Sequence, residues 1–211
     1  MKKILSLIIS LVLTVTVFTS CDRKYDENEV KAAAEKLIED SILLNEIFWG
    51  DGLVHYDDKN YSDGDYYAAI EAYHYRLGFT TVAELRALTE KTFSKEYTEL
   101  IASTVFSEIY DGDEVVHTSR YYQKYSAYDQ TTPECIMVNA KWKKLLYGEV
   151  AYDYSTLTVT HSDDEVVFVT VDATVTLDGE NPKTKNIEIG LIEEDAGWRI
   201  HTPTYLNYYY N

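Results

Sequence analysis

The stretch VFVTVDATVTL, residues 167–177, has an apolar side chain at every second position, and from Thr170 onwards the positions between them are polar. Side chains that recur every second residue share one face of a β-strand, so the stretch predicts a long strand with one buried face. Short polar turn sequences flank it, HSDD at residues 161–164 and DGENP at residues 178–182. Because such turns join antiparallel neighbours, the stretch predicts the middle of an antiparallel sheet.

The segments on both sides of this strand continue the same pattern. Leu157 and Val159 come before the first turn, and the alternating apolar residues of 187–191 follow the second. The turn EDAG, residues 194–197, leads into a last short strand. Upstream, residues 121–128 and 134–141 predict another pair of strands.

The first half of the chain shows helical spacing instead. Asp26 and Glu29 resemble a capping box before an amphipathic run that Gly50 ends, which predicts a long helix. A second capping box, TVAE at residues 81–84, and a cap at Ser94 predict two shorter helices. Residues 51–65 are predicted as a loop, and residues 66–77 fit either a short strand or an irregular arm. Helices followed by strands indicate the α+β class, with helices packed on one face of the sheet.

This order of elements resembles the cone-shaped NTF2-like family, which has an opening helix, a helix pair and long C-terminal strands. The resemblance covers roughly residues 27–205 and includes the ending Gly197-Trp198-Arg199-Ile200. Residues 79–97 are also similar to small envelope lipoproteins of Gram-positive bacteria. The resemblance implies N-terminal helices on a curved antiparallel sheet, often around a pocket. In enzymes of the family a Tyr/Asp or His/Asp pair lies inside the cone, for which this chain offers Asp153 and Asp172.

The N-terminus has the features of a leader. Lys2 and Lys3 precede an apolar run of roughly 15 residues, shorter than the about 20 that cross a bilayer. Thr19 and Ser20 then precede Cys21, and the segment resembles the lipobox of bacterial lipoproteins, in which the cysteine is diacylated. We therefore predict a signal peptide over residues 1–20 and lipidation of Cys21. The alternatives are plain secretion and a retained transmembrane anchor.

The prediction for the mature chain is a short tether, residues 21–25, and a single domain over residues 26–211. The domain would lie on the extracytoplasmic face of the cell membrane, attached only through the lipid. The chain carries a net charge of −17, which becomes −19 once Lys2 and Lys3 are removed. Such a charge argues against nucleic acid and against anionic headgroups as partners. It suits a cationic partner, or it serves solubility alone.

Tyrosine is unusually frequent, with 20 tyrosines against 6 phenylalanines. Because tyrosine combines an apolar ring with a polar tip, some of these residues are predicted to form a binding face for a basic or sugar-bearing partner. The other interpretation is that they belong to the core and to the strands. The residues proposed for the face are Trp49, Tyr66, Tyr67, Tyr73, Tyr121 and Tyr122.

Residues 57–65 form an acidic loop that supplies hard oxygen ligands. Its candidate calcium ligands are Asp58, Asn60, Asp63 and Asp65. The EF-hand pattern is broken, because Asp63 stands where the glycine belongs and Ala69 occupies the last ligand position. A solvated loop is therefore the favoured interpretation, and no metal site is predicted.

No catalytic motif is present, and the five histidines are scattered without ligand spacing. We therefore predict no catalytic residues and no cofactor. The predicted function is a lipid-anchored, non-enzymatic binding or accessory domain of the bacterial cell envelope, with an envelope protein or a peptidoglycan-related ligand as partner. One alternative is an inhibitor or regulator of cell-wall endopeptidases, some of which have inhibitors with a similar organisation. The other is a pocket enzyme of the NTF2-like type.

Overall fold

The computed structural model describes residues 25–111, 114–145, 148–163, 165–177 and 181–204. These residues form helices and antiparallel strands, which confirms the α+β class. The predicted leader over residues 1–20, the lipidated Cys21 and the tether up to residue 24 lie outside the described residues. None of the helices in the described ranges is both long enough and apolar enough to cross a membrane.

The long N-terminal helix, α1, spans Glu27–Trp49 and begins where the sequence predicts. The Asp26 carboxylate accepts hydrogen bonds from the backbone N–H groups of Asn28 at 2.8 Å and Glu29 at 3.4 Å. Gly50 ends the helix, and its N–H donates back to the carbonyls of Asn45 and Glu46. The side chains that α1 buries follow helical spacing and include Val30, Ala34, Leu37, Ile38, Leu44, Ile47 and Phe48.

Three shorter helices follow: α2 (Glu71–His74), α3 (Val82–Thr92) and α4 (Lys95–Val105). The capping box at α3 is confirmed, because Thr81 and Glu84 each accept a hydrogen bond from the other's backbone N–H at 3.1 Å. The cap at α4 is confirmed as well, since the Ser94 hydroxyl accepts from the N–H of Tyr97. For residues 66–77 the sequence fitted either a short strand or an irregular arm. In the structure they form a short strand at Tyr66–Ala68, then α2, then a 3₁₀ turn at Tyr75–Leu77.

The middle of the chain contributes six strands, which form a four-stranded sheet and a separate hairpin. Their bounds are β1 Ser62–Asp63, β2 Tyr66–Ala68, β3 Ile109–Asp111, β4 Glu114–His117, β5 Tyr121–Tyr125 and β6 Pro133–Asn139. The sheet has the order β1-β2-β6-β5, and β3 pairs with β4 alone. The predicted pairing of residues 121–128 with residues 134–141 is confirmed in the antiparallel β5–β6 pair, with shorter bounds.

The C-terminal strands form a second four-stranded antiparallel sheet of order β10-β9-β8-β7. Their bounds are β7 Glu149–Asp163, β8 Val166–Thr176, β9 Lys183–Glu194 and β10 Gly197–Ile200. The alternation in β8 is confirmed, because its buried residues are Val167, Val169, Val171, Ala173 and Val175. The strands are thus divided between two four-stranded sheets and one hairpin, instead of joining the single sheet that was expected.

Helix α1 packs on the C-terminal sheet, and a buried polar network holds Thr204, which follows β10, against the helix. Thr204 is fully buried, and its hydroxyl lies 2.8 Å from the hydroxyl of Ser41 and 2.8 Å from Nδ2 of Asn45. Because Ser41 donates its own proton to the carbonyl of Ile38, Thr204 donates to Ser41 and accepts from Asn45. The network therefore fixes α1 relative to the residues that follow β10.

Arg120 joins the C-terminus of α1 to the other sheet. Only 3% of this residue is exposed. Its guanidinium donates to the carbonyl of Phe48 and to that of Gly50, each at 2.8 Å, and to the hydroxyl of Tyr121 at 3.0 Å. The positive charge thus faces the negative end of the helix dipole, and the planar group satisfies carbonyls that the helix leaves without partners. We call this arrangement the Arg120 cap.

Replacing Arg120 with lysine tests the cap. An ammonium group lacks the planar fork of donors, so the Arg120→Lys variant should leave buried carbonyls unsatisfied. We expect a loss of about 2–4 kcal/mol in the free energy of unfolding, measured by urea denaturation at pH 7. Arg86→Lys is the matched control, because the side chain of Arg86 is 42% exposed and lies 3.9 Å from the exposed Glu99; it should change stability by less than about 0.5 kcal/mol. Equal losses in both variants would contradict the role given to Arg120.

Candidate functional site

A surface pocket of about 550 Å³ lies where the β1–β2 turn meets the start of β5 and the end of β6. We call it the Tyr66 pocket. It is lined by Asp63, Gly64, Asp65, Tyr66, Thr118, Tyr122, Asn139 and Lys141. Several residues that the sequence proposed separately, as an aromatic face and as an acidic loop, therefore meet at one place.

Strand pairing brings these residues together. In the register of the sheet, Asp63 lies opposite Tyr66, and Tyr66 lies opposite Asn139 on the next strand. The tight β1–β2 turn depends on Gly64, whose φ of 58° lies in the left-handed region that glycine adopts without strain. The pairing is anchored further by the N–H of Ala140, which donates to the carbonyl of Asp65 at 3.0 Å. The turn is thus held against the end of β6.

Two tyrosine rings form the apolar wall of the pocket. The rings of Tyr66 and Tyr122 have centroids 4.9 Å apart and meet edge to face at 73°. The hydroxyl of Tyr66 donates to the carbonyl of Ser119 at 2.7 Å, and the hydroxyl of Tyr122 donates to Oδ2 of Asp63 at 2.9 Å. Since both hydroxyls are held, the two rings are fixed in place before any ligand arrives.

Charges of both signs stand at the rim. The ammonium of Lys141 lies 2.8 Å from Oδ1 of Asp65, and both side chains are largely exposed. This hydrogen bond and the charge of the Asp65 carboxylate raise the pKa of Lys141. Asn139 supports the base of the pocket, because its Nδ2 donates to the hydroxyl of Thr118 at 2.9 Å and its Oδ1 accepts from the N–H of Lys141.

Tyr122 is held in its neutral form. Its burial comes first among the causes that raise the pKa of its phenol, followed by the hydrogen bond to Asp63 and by the negative charge of that carboxylate. A phenol with a raised pKa donates a hydrogen bond at neutral pH and does not become an anion. The pocket therefore offers aromatic faces, carboxylate acceptors and one ammonium donor. Such a set suits a polar ligand that carries hydroxyl and charged groups.

The proposed aromatic face is only partly brought together. Tyr66 and Tyr122 line the pocket, whereas Tyr67 follows Tyr66 on the strand and stacks on His55 with centroids 5.5 Å apart. Tyr73 is exposed on α2, outside the pocket lining. For two other residues the prediction is wrong. Trp49 is 6% exposed and Tyr121 is fully buried, because both pack in the core around the C-terminus of α1.

The calcium candidates have separate partners. Asp58 accepts from the N–H of Asn60 and caps the 3₁₀ turn Lys59–Tyr61, while Asp63 accepts from Tyr122 and Asp65 pairs with Lys141. Among the described residues, no group of three or more histidine, cysteine or acidic side chains is placed to hold a metal ion. Two of the four candidates, Asp63 and Asp65, instead contribute to the Tyr66 pocket.

Four lining residues were not predicted from the sequence: Gly64, Thr118, Asn139 and Lys141. The only available signal was that Asn139 and Lys141 directly follow the apolar residues of β6, at a strand end where polar side chains are ordinary. Their position beside Asp65 depends on pairing between distant strands, which no local pattern encodes.

The two carboxylates considered for an enzyme pair also lie outside the Tyr66 pocket. Asp153 and Asp172 are directly opposite each other on β7 and β8. Asp153 accepts from the hydroxyl of Ser155 at 2.6 Å, and Asp172 accepts from Nδ2 of Asn186 at 2.7 Å. Each carboxylate is therefore engaged with a neighbouring polar side chain.

No protein-family model, no curated protein and no solved structure matches this chain. The resemblance to NTF2-like lipoproteins gains no support from these comparisons.

The titration of Tyr122 tests the geometry of the pocket. The Asp63→Asn variant removes a negative charge next to the phenol, so the phenolate becomes less unfavourable and the pKa of Tyr122 should fall. The pKa can be followed by NMR of tyrosine labelled with ¹³C at Cζ. Asp163→Asn is the control, because Asp163 is exposed at the end of β7 and should leave the pKa of Tyr122 unchanged. An unchanged pKa in Asp63→Asn would show that the two side chains are not in contact.

Proposed function

We propose that this protein is a lipid-anchored, non-enzymatic binding domain of the bacterial cell envelope, and that the Tyr66 pocket binds a sugar-bearing ligand related to peptidoglycan. The composition of the Tyr66 pocket supports this proposal. Fixed rings of Tyr66 and Tyr122 form its wall, and charges of both signs stand at its rim.

The chemistry of such a ligand fits the groups of the pocket. The C–H face of a sugar ring packs on aromatic rings, and its hydroxyls donate to carboxylates such as Asp63. A peptidoglycan fragment also carries carboxylates and amino groups on its peptide. Lys141 and Asp65 offer the matching charges, 2.8 Å apart, and a ligand would exchange its own charged groups for this exposed pair. Because exposed ion pairs contribute little, opening this one costs little free energy.

The proposed location rests on the N-terminal sequence. Cys21 follows a basic start and an apolar run, and the first helix begins soon afterwards, at Glu27. A lipid on Cys21 would hold the domain close to the bilayer, while the net charge of −19 left by removal of the leader would keep it off anionic headgroups. The domain would therefore meet ligands of the envelope near the membrane surface.

We also propose that the fold is a variant of the NTF2-like cone. The long strands β7, β8 and β9 support this, since α1 packs against their sheet. Register shifts in β7, between Asp153 and Thr158 and between Val159 and His161, are of the kind that bends a strand and curves a sheet. The cone would be an elaborated one, because β1, β2, β5 and β6 form a sheet of their own.

Binding of a soluble disaccharide-peptide from peptidoglycan tests the function. Isothermal titration calorimetry should detect binding to the unaltered chain. Tyr122→Ala removes one wall of the pocket, and Lys141→Gln removes the ammonium from an exposed position that the fold does not need. We expect each variant to weaken binding by about tenfold, which corresponds to about 1.4 kcal/mol. The control is Tyr128→Ala, because Tyr128 is fully exposed elsewhere. Failure of the fragment to bind, or an equal loss in the control, would refute the proposal.

Fatty-acid labelling tests the anchor. Cells that express the full chain and take up radioactive palmitate should yield a labelled protein of the processed size, because the thiol of Cys21 is the predicted acylation site. The Cys21→Ala variant should carry no label and should leave the membrane fraction. Cys135→Ala is the matched control and should be labelled like the unaltered chain. Label retained in Cys21→Ala would overturn the anchor.

A further inference from the structure

A groove of about 590 Å³ lies between the second half of α1 and the start of β7. Residues 39–46 of the helix form one wall, and residues 148–152 form the other. We call it the acidic groove. It lies apart from the Tyr66 pocket and shares no lining residue with it, so a ligand of the acidic groove would not occupy the Tyr66 pocket.

The floor of the groove is apolar although the groove opens to solvent. Ile42 and Leu43 are 40% and 39% exposed, whereas the other large aliphatic side chains of α1 are buried. Val150 and Tyr152 face them from β7. A ligand that enters the groove would therefore remove apolar surface from water.

Carboxylates surround this floor. Glu39, Glu46 and Glu149 all line the groove, and in the described part of the chain none of them forms an ion pair with lysine or arginine. Glu46 accepts a hydrogen bond from the N–H of Asp51, so it serves the loop after α1 as well. Among the described residues, no N–H group donates a hydrogen bond to the carboxylate of Glu39 or to that of Glu149. An apolar floor bounded by negative charge is complementary to an aliphatic side chain that ends in a cation.

A buried acceptor gives a second, independent sign of a ligand. Asn45 lines the groove and is 3% exposed, and its Nδ2 donates to Thr204. Its Oδ1 is buried and has no hydrogen-bond donor among the described residues. A buried amide oxygen without a donor is costly, and native structures usually supply one. The cationic end of a ligand carries the N–H donors that this oxygen lacks.

The strand beside the groove can pair with an extended peptide. Among the described residues β7 has a neighbour, β8, on one side only, so alternate backbone N–H and C=O groups of β7 point away from the sheet. Strand addition at such an edge gives a peptide affinity through its main chain, while alternate side chains enter the adjacent pocket. A free small cation would use none of these edge groups.

The aromatic residues of β7 are consistent with this environment. Tyr152 lines the groove and its ring stacks on that of Tyr154, with centroids 6.2 Å apart. Burial, and then the negative charges of Glu39 and Glu35, raise the pKa of the Tyr154 phenol. A guanidinium in the groove would sit in this negative field next to an aromatic ring, where cation–π attraction adds to the ion pairs.

We propose that the acidic groove binds a lysine or arginine side chain of a basic, extended peptide segment that pairs with the edge of β7 opposite β8. The segment belongs to a partner protein. Glu39 and Glu149 bind the cation, Asn45 accepts one of its N–H groups, and the aliphatic part of the side chain covers Ile42 and Leu43.

The test uses a fluorescein-labelled hexapeptide of alternating threonine and arginine with blocked ends, whose binding to the full chain is followed by anisotropy. The double variant Glu39→Gln/Glu149→Gln should bind it about tenfold more weakly. Glu90→Gln/Glu165→Gln is the matched control, because it changes the net charge equally at exposed sites and should bind like the unaltered chain. Ile42→Lys places an ammonium at the groove's exposed floor and should abolish binding.

Two competition experiments distinguish the proposed peptide from an uncharged peptide and from a small cation. The same peptide with citrulline in place of arginine has the same shape without the charge and should not compete. Spermidine should compete only weakly, because it lacks a backbone to pair with β7. Equal binding by the two double variants, effective competition by the citrulline peptide, or spermidine binding as tight as the arginine peptide would each overturn the proposal. Binding seen only in a chain that ends at Thr204 would also overturn it, because the chain's own C-terminal segment would then be the occupant.

Discussion

The buried guanidinium of Arg120 is the interaction on which the arrangement of this molecule depends. It lies at the point where the end of α1, the loop after it and the start of β5 meet, and it donates to the carbonyls of Phe48 and Gly50. Among the described residues no carboxylate forms an ion pair with it, so its charge is offset by carbonyl dipoles, by the helix dipole and by the rings of Tyr121 and Trp142. A buried cation satisfied in this way tolerates little displacement of the groups around it.

The two surface sites are positioned by this junction and by the network at the other side of α1. Arg120 and Tyr121 hold β5 against the helix, and β5 carries Tyr122 into the Tyr66 pocket. Ser41 and Asn45 hold Thr204 against the same helix, next to the acidic groove. Helix α1 is therefore the common support for both sites. It lines the acidic groove together with the start of β7, whereas the Tyr66 pocket takes its lining from the strands and turns of the other sheet.

The parts of the fold that sequence patterns predict are those with a local physical cause. The cap at Asp26, the capping box of Thr81 and Glu84 and the alternation of residues 167–177 each depend on neighbours a few positions away. The division of the strands into two sheets depends on which distant strands pair, and it was not predicted. The same limit applies to the sites. Because tyrosine suits a core and a binding face equally, the sequence could not distinguish the buried Tyr121 from the half-buried Tyr66 and Tyr122 that line a pocket. The orphaned Oδ1 of Asn45 is visible only in three dimensions.

The contacts within the C-terminal sheet and the contacts of α1 differ in how far apart along the chain their residues lie, and this difference bears on the order of folding. Strands β7, β8, β9 and β10 pair with their sequence neighbours, so the C-terminal sheet closes only short loops. The Arg120 cap joins residues 72 positions apart, and the bond between Ser41 and Thr204 spans 163. Because loop closure costs more entropy as the loop lengthens, we expect the meander to form first and α1 to dock on it afterwards. Because synthesis runs from the N-terminus, α1 emerges before the sheet that it packs on, and its apolar face stays exposed to solvent until β10 has been made.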